Sequence, residues 1–285
     1  MDTQKIAEIV ALHAKWQNHQ INGQQADLHG VDLRGAVLCH VNLRMAIFSW
    51  ANLQGADLHG SNLEWAGFNN ANLRNADLHE AILCDADLRE ANLNDANLYR
   101  VNLQGANLRY TSLSRATLRR ANLRGATLLR ANLIAADLRY ACLVKTELYI
   151  ANLGRARLQH ANLRDANLYN ANLYDASLCE AKLQNANLHK ADLHIARLCN
   201  ANLQNADLHE AILNNADLSN ADLSNANLCN ADMRDAILIN VNLSNANLTH
   251  VDWRGAVLDK VILDGAILDE TNQLPVSLND IRKVS

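Results

Sequence analysis

One proline stands in the 285 residues, Pro275, and it lies outside the long regular part of the chain. No Pro-rich linker therefore divides that part. No apolar run approaches the ~20 residues of a membrane-spanning helix. The N-terminal stretch is amphipathic and carries Glu8, so it does not read as a secretory leader. No Gly-rich turn sits between a strand and a helix to cradle phosphate, and no Ser stands in a nucleophile context. Six cysteines fall at irregular spacing, mostly on outward positions, and read as free thiols in a reducing cytoplasm. Phe is confined to Phe48 and Phe68.

What fills the chain instead is a period of five. From Ala26 to Glu270 there are 49 pentapeptides with no insertion or deletion. The first position is Ala 40 times and Val six times, with Ser61, Thr111 and Thr146 as exceptions. The third is Leu 45 times, and otherwise Phe48, Phe68, Met233 or Trp253. Such a repeat decides the fold before any single motif does. Ala and Leu two residues apart face the same side of an extended segment. The Asp or Asn between them faces water. The last two positions, rich in Arg, His, Ser, Asn, Asp and Gly, turn the chain, since Asn and Gly tolerate left-handed conformations. Short strands and corners thus alternate around an axis of Ala and Leu. Unusual residues recur 20 apart, as with Phe48 and Phe68, Cys179 and Cys199, and His189 and His209. Four pentapeptides then make one coil.

Tandem A(D/N)LXX resembles the pentapeptide-repeat family. The resemblance implies an all-β solenoid, a right-handed quadrilateral β-helix, of about 12 coils and roughly 55–60 Å at the strand spacing. Three parts are expected: 1–25 as a helical cap and lead-in, 26–270 as the β-helix, and 271–285 as a C-terminal cap. Ile6, Ile9, Val10, His13 and Trp16 form an amphipathic stripe suited to covering the first coil. His13, Trp16 and Gly23 also resemble a leader seen ahead of many such repeats. Leu274, Val276, Leu278 and Ile281 are expected to fold over the last coil.

No enzyme, cofactor or metal site is expected. Cys39, His59 and His79 share one column, and His189, His209 and Cys229 another, but a ladder points its ligands in parallel whereas zinc needs them to converge. A disulfide between Cys179 and Cys199 is disfavoured because parallel side chains about 4.8 Å apart are slightly too distant at Cβ.

Charge is uneven. Residues 1–99 carry 6 basic and 12 acidic side chains, 100–164 carry 12 and 2, and 165–285 carry 8 and 16. Net charge runs −6, +10, −8, summing to −4. On one face of the basic band lie Tyr99, Arg100, Arg119, Arg120, Arg139 and Tyr140. On the opposite face lie Arg109, Tyr110, Leu129, Arg130, Tyr149, Ile150 and Tyr169. Tyr and Arg are enriched at interface hot spots, so these thirteen residues are the candidate partner-binding surface.

The expected function is a non-enzymatic scaffold or regulator in a bacterial cytoplasm. It would bind a protein partner, as a monomer or weak dimer, away from membranes and nucleic acid. Uninterrupted cyanobacterial family members are similar, and some of them regulate heterocyst development. The alternative is a DNA-mimicking gyrase-binding protein. Family members of that kind look more uniformly acidic and use Phe more often in the core, and a basic belt suits DNA mimicry poorly.

Overall fold

The computed structural model describes residues 3–270. The chain forms two compact units, residues 1–137 and 138–285. The expected C-terminal cap at 271–285 lies outside the described residues.

In both units the repeat folds in one way. The second residue of each pentapeptide forms an isolated parallel bridge with the residue 20 positions away, as in Asp57↔Asp77 of the first unit and Asn162↔Lys182 of the second. Four pentapeptides therefore separate stacked residues, giving a β-helix. Two longer pieces occur in the second unit, β1 (Ile237–Ile239) and β2 (Val257–Asp259), paired parallel with Ile237 opposite Val257. Ala and Leu fill the interior of each unit, almost all of them within 2% of full burial. Phe48 and Phe68 stack with ring centres 4.6 Å apart. Ser61 and Thr111, in Ala positions, are also fully buried, and their hydroxyls donate to the Leu38 and Leu88 carbonyls at 2.5 and 2.7 Å.

Buried main-chain N–H groups need partners, and the repeat provides all five. In residues 52–56, Asn52 N–H donates to Val31 O of the preceding coil at 2.9 Å. Leu53 N–H and Gly55 N–H donate to Asn72 O and Arg74 O of the next coil at 2.7 and 2.9 Å. Ala56 N–H closes the corner onto Leu53 O at 2.9 Å. The fifth, Gln54 N–H, donates to the Asn52 side-chain Oδ1 at 3.3 Å. So the Asp or Asn does more than face water: it caps the corner as an Asx turn does. The same bond recurs from Asp27 to His29 through Asp252 to Arg254.

Each corner ends in a left-handed residue. Every fifth position from Gly30 to Gly265 has φ between 52° and 73°. Gly and Asn suit this conformation, but Trp50, Trp65, Tyr110, Ile150 and Ile195 adopt it as well. The coil-to-coil hydrogen bonds impose it whatever the side chain.

The first unit opens with helix α1 (Thr3–Gln17), close to expectation. Its stripe of Ile6, Ile9, Val10 and Trp16 is half-buried, and His13 is fully buried. His13 Nδ1 accepts the N–H of Ala26, the first repeat residue, at 3.0 Å. Its ring stacks on Trp16 at 5.3 Å. Gln17 Nε2 donates to Arg44 O at 2.6 Å. Gly23 lies flat on the helix, where a Cβ would overlap the main chain of Lys15 and Trp16. The His, Trp and Gly of the leader thus belong to one joint that seats α1 on the first coil.

One expectation is corrected. Cys179 and Cys199 form a disulfide. Their Cα atoms are 4.6 Å apart, inside the range a disulfide accepts. Coil stacking places two cysteines at bonding distance once their side chains lean together. Cys39, Cys84, Cys142 and Cys229 are free thiols.

Candidate functional site

Outward positions carry whatever function the coils have, since inward ones are committed to the core. Eight of the thirteen expected residues lie in the first unit. The Arg100 and Tyr110 amides donate to the Arg119 and Leu129 carbonyls at 3.0 and 2.9 Å. These bonds stack Tyr99–Arg100 on Arg119–Arg120, and Arg109–Tyr110 on Leu129–Arg130. Tyr110 is 49% exposed. Arg100 Nη1 lies 2.8 Å from Glu80 Oε1. Arg115 Nε lies 2.7 Å from Asp95 Oδ1 and holds that carboxyl below its ordinary range. Acidic side chains one coil earlier therefore offset part of the basic band. Arg109 and Arg130 have no ion pair among the described residues.

Five lie in the second unit: Arg139, Tyr140, Tyr149, Ile150 and Tyr169. Tyr140 is 46% exposed, and its ring stacks on His160 at 4.6 Å. Tyr149 stacks on Tyr169 at 5.2 Å, and the Ile150 amide donates to Tyr169 O at 3.0 Å. The strip expected from the sequence ends at Tyr169. The structure continues it to His189 at 5.1 Å and from there to His209 at 4.9 Å.

Sequence reasoning passes over a second outward group in the first unit. Met45, Trp50 and Trp65 are 44%, 61% and 50% exposed, all at left-handed corners. The Arg44 guanidinium lies 4.4 Å over the Trp65 ring, and its Nε is 3.0 Å from Glu64 Oε2. The signal was present, because positions ending in 5 or 0 point outward and only these hold Met or Trp there.

Among the described residues, two side-chain groups could hold a metal ion: Cys39, Asp57 and His59, and His189, His209 and Glu210, each with donor atoms within 4.8 Å. The expected parallel ladder holds for His59 and His79, whose rings are 3° from coplanar. It fails for His189 and His209, whose rings meet at 81°. A surface hollow lined by Glu180, Lys182, Gln184, Asn200 and Asn202 contains no nucleophile–base pair. No helix among the described residues is long and apolar enough to cross a membrane.

Comparison with known proteins agrees with the repeat geometry. No curated protein matches the chain. Among solved structures, HetL, a pentapeptide repeat protein involved in heterocyst differentiation regulation from the cyanobacterium Nostoc sp. strain PCC 7120, is 31% identical. That match covers 94% of this chain and 99% of HetL, with a TM-score of 0.36. Rfr23 from the cyanobacterium Cyanothece 51142 is 27% identical over 49% of this chain and 88% of its own, with a TM-score of 0.28. A form of QnrB1, a plasmid-mediated fluoroquinolone resistance protein, is 20% identical over 77% and 90%, with a TM-score of 0.27. The family profile described as pentapeptide repeats matches eight times between residues 22 and 272. With the profile running through the same residues that bridge at 20 and turn at every fifth position, the chain belongs to the pentapeptide-repeat family.

Proposed function

We propose that this protein is a non-enzymatic scaffold or regulator that binds a protein partner through outward side chains of its central coils. In this reading the coils are those of a right-handed quadrilateral β-helix, and the protein works in the cytoplasm as a monomer or weak dimer. The observation that carries the reading is the placement of Tyr110, Arg130 and Tyr140 at left-handed corners. A side chain other than Gly, Asn or Asp costs about 1–2 kcal/mol there. Tyr110 and Tyr140 remain nearly half exposed, so each still presents an aromatic edge to the outside. Binding to another protein gives these side chains a use. HetL, the relative matched along nearly its whole length, is involved in regulation of differentiation, which agrees with a regulatory role. The DNA-mimic alternative has less support. Asp32, Asp87, Asp232 and Asp252 are each tied to the Arg two residues on, so their charge is neutralised locally.

The test replaces Tyr110 and Arg130 together by Asn. Asn suits the left-handed corner, so the variant should be at least as stable as the native chain. Affinity capture from a bacterial lysate with mass spectrometry should retain a protein on the native chain and lose it on the variant. An identical catch from both removes the Tyr110–Arg130 face from consideration. Loss on a Met45→Asn, Trp50→Asn, Trp65→Asn variant alone would move the binding face to the N-terminal coils.

A further inference from the structure

We propose that His189, His209 and Glu210 form a binding site for a divalent transition-metal ion of the zinc type. The donor atoms of the three residues lie within 4.8 Å of one another. Both imidazoles turn Nε2 toward one carboxylate oxygen: His209 Nε2 is 3.1 Å and His189 Nε2 3.9 Å from Glu210 Oε1. A tetrahedral zinc with nitrogen ligands at 2.0–2.1 Å places its ligands about 3.3 Å apart. Small side-chain rotations bring these three to that spacing. Two imidazoles and one carboxylate are a known donor set for zinc and other first-row ions.

His189 Nε2 is buried at the atomic level and has no hydrogen-bond partner among the described residues. A buried nitrogen without a partner is unfavourable, and a metal ion would give it one. Tyr169 packs against the same ring at 5.1 Å. The other ring nitrogen, Nδ1, has the Asp207 carboxylate 4.0 Å away. That distance is too long for a hydrogen bond, and a small adjustment of the Asp207 side chain would let it accept one from Nδ1–H when Nε2 binds metal, the usual outer support of a histidine ligand. Lys190 Nζ lies 3.4 Å from the second Glu210 oxygen, Oε2, leaving Oε1 available.

His59 and His79 lack this convergence. Each Nδ1 is bonded to the Asp of its own repeat, at 2.6 and 2.7 Å, and the rings lie flat on each other. In the His189 group the coil stack brings two repeats together and the edge-to-face rings aim their nitrogens at one point. Three protein ligands leave a coordination position open to water or to a donor from another molecule.

The experiment is calorimetric titration of the full chain with Zn²⁺ after chelator treatment, repeated with Co²⁺ under visible absorption. The native chain should bind one ion whose Co²⁺ spectrum lacks a thiolate charge-transfer band, which separates this site from the Cys39 group. His189→Ala and His209→Ala should abolish that binding. Asp207→Asn keeps the corner-capping Oδ1 and should weaken it about 10–100-fold. Lys190→Met, by removing a nearby positive charge, should strengthen it about 3–10-fold. That gain is a result that misfolding does not produce. Equal binding by the native chain and the His189→Ala, His209→Ala double variant would overturn the proposal, as would no uptake of Zn²⁺ by the native chain in molar excess of metal.

Discussion

At the scale of single residues, the five letters of the repeat have distinct physical tasks. Ala and Leu fill the interior, the Asp or Asn caps a corner N–H, and the fifth residue takes positive φ. The first task is legible in the sequence from periodicity alone. The capping task is not, because an outward Asn looks like any solvated side chain until the fate of the next-but-one N–H is known. A matched pair of substitutions separates these tasks. Asn172 Oδ1 accepts the Tyr174 N–H at 2.9 Å, so Asn172→Ala should cost about 1 kcal/mol. Ile195 holds φ at 52°, a poor setting for a β-branched side chain. Ile195→Asn should therefore stabilise by about 1 kcal/mol. Urea midpoints of the two variants should move in opposite directions. Equal downward shifts would mean that the corner conformation carries no cost for Ile.

At the scale of elements, α1 and the coils meet through a joint rather than through general apolar contact. The stripe of Ile6, Ile9, Val10 and Trp16 is visible in the sequence as amphipathic periodicity. The reason for Gly23 is not, since it depends on how near the lead-in passes to the helix main chain. Gly23→Ala places a methyl into the main chain of Lys15 and Trp16, which rotation of a side chain cannot relieve. The helix should detach, and hydrogen exchange of residues 3–17 should speed up. Exchange in the coils beyond Arg44 should stay as in the native chain, because each coil bonds only to its neighbours. Native protection of α1 in Gly23→Ala would show that the joint tolerates separation. The Cys179–Cys199 disulfide belongs to the same scale. The column placing both cysteines together was readable, but the lean of the two side chains was not.

At the scale of the whole molecule, local Asp–Arg pairs sit within the uneven charge of the sequence, and pairing sets the response to acid. Guanidinium groups two residues on hold the Asp32, Asp87, Asp232 and Asp252 carboxyls below their ordinary range, Asp32 at about 2. A carboxyl depressed in the folded state contributes stability above its unfolded value of 3.8, and that contribution disappears as pH falls through the folded value. His13 behaves differently. Burial lowers its pKa, opposed by a hydrogen bond to the Arg44 carbonyl. The folded state thus resists protonation, and the His13 contribution is complete above 6.5 and declines as pH falls below it. Protonation also ends the acceptor role of Nδ1 toward Ala26. Two separate windows should follow. Between pH 6.5 and 4 the Ala26 amide resonance should shift as α1 loosens, while the urea midpoint of the coils stays level. Below about 3.8 the midpoint itself should fall as the Asp–Arg pairs are lost. In His13→Gln the first window should vanish and the second remain. A midpoint that already declines between pH 6.5 and 4 in His13→Gln would place the acid-sensitive groups elsewhere than in this joint and these pairs.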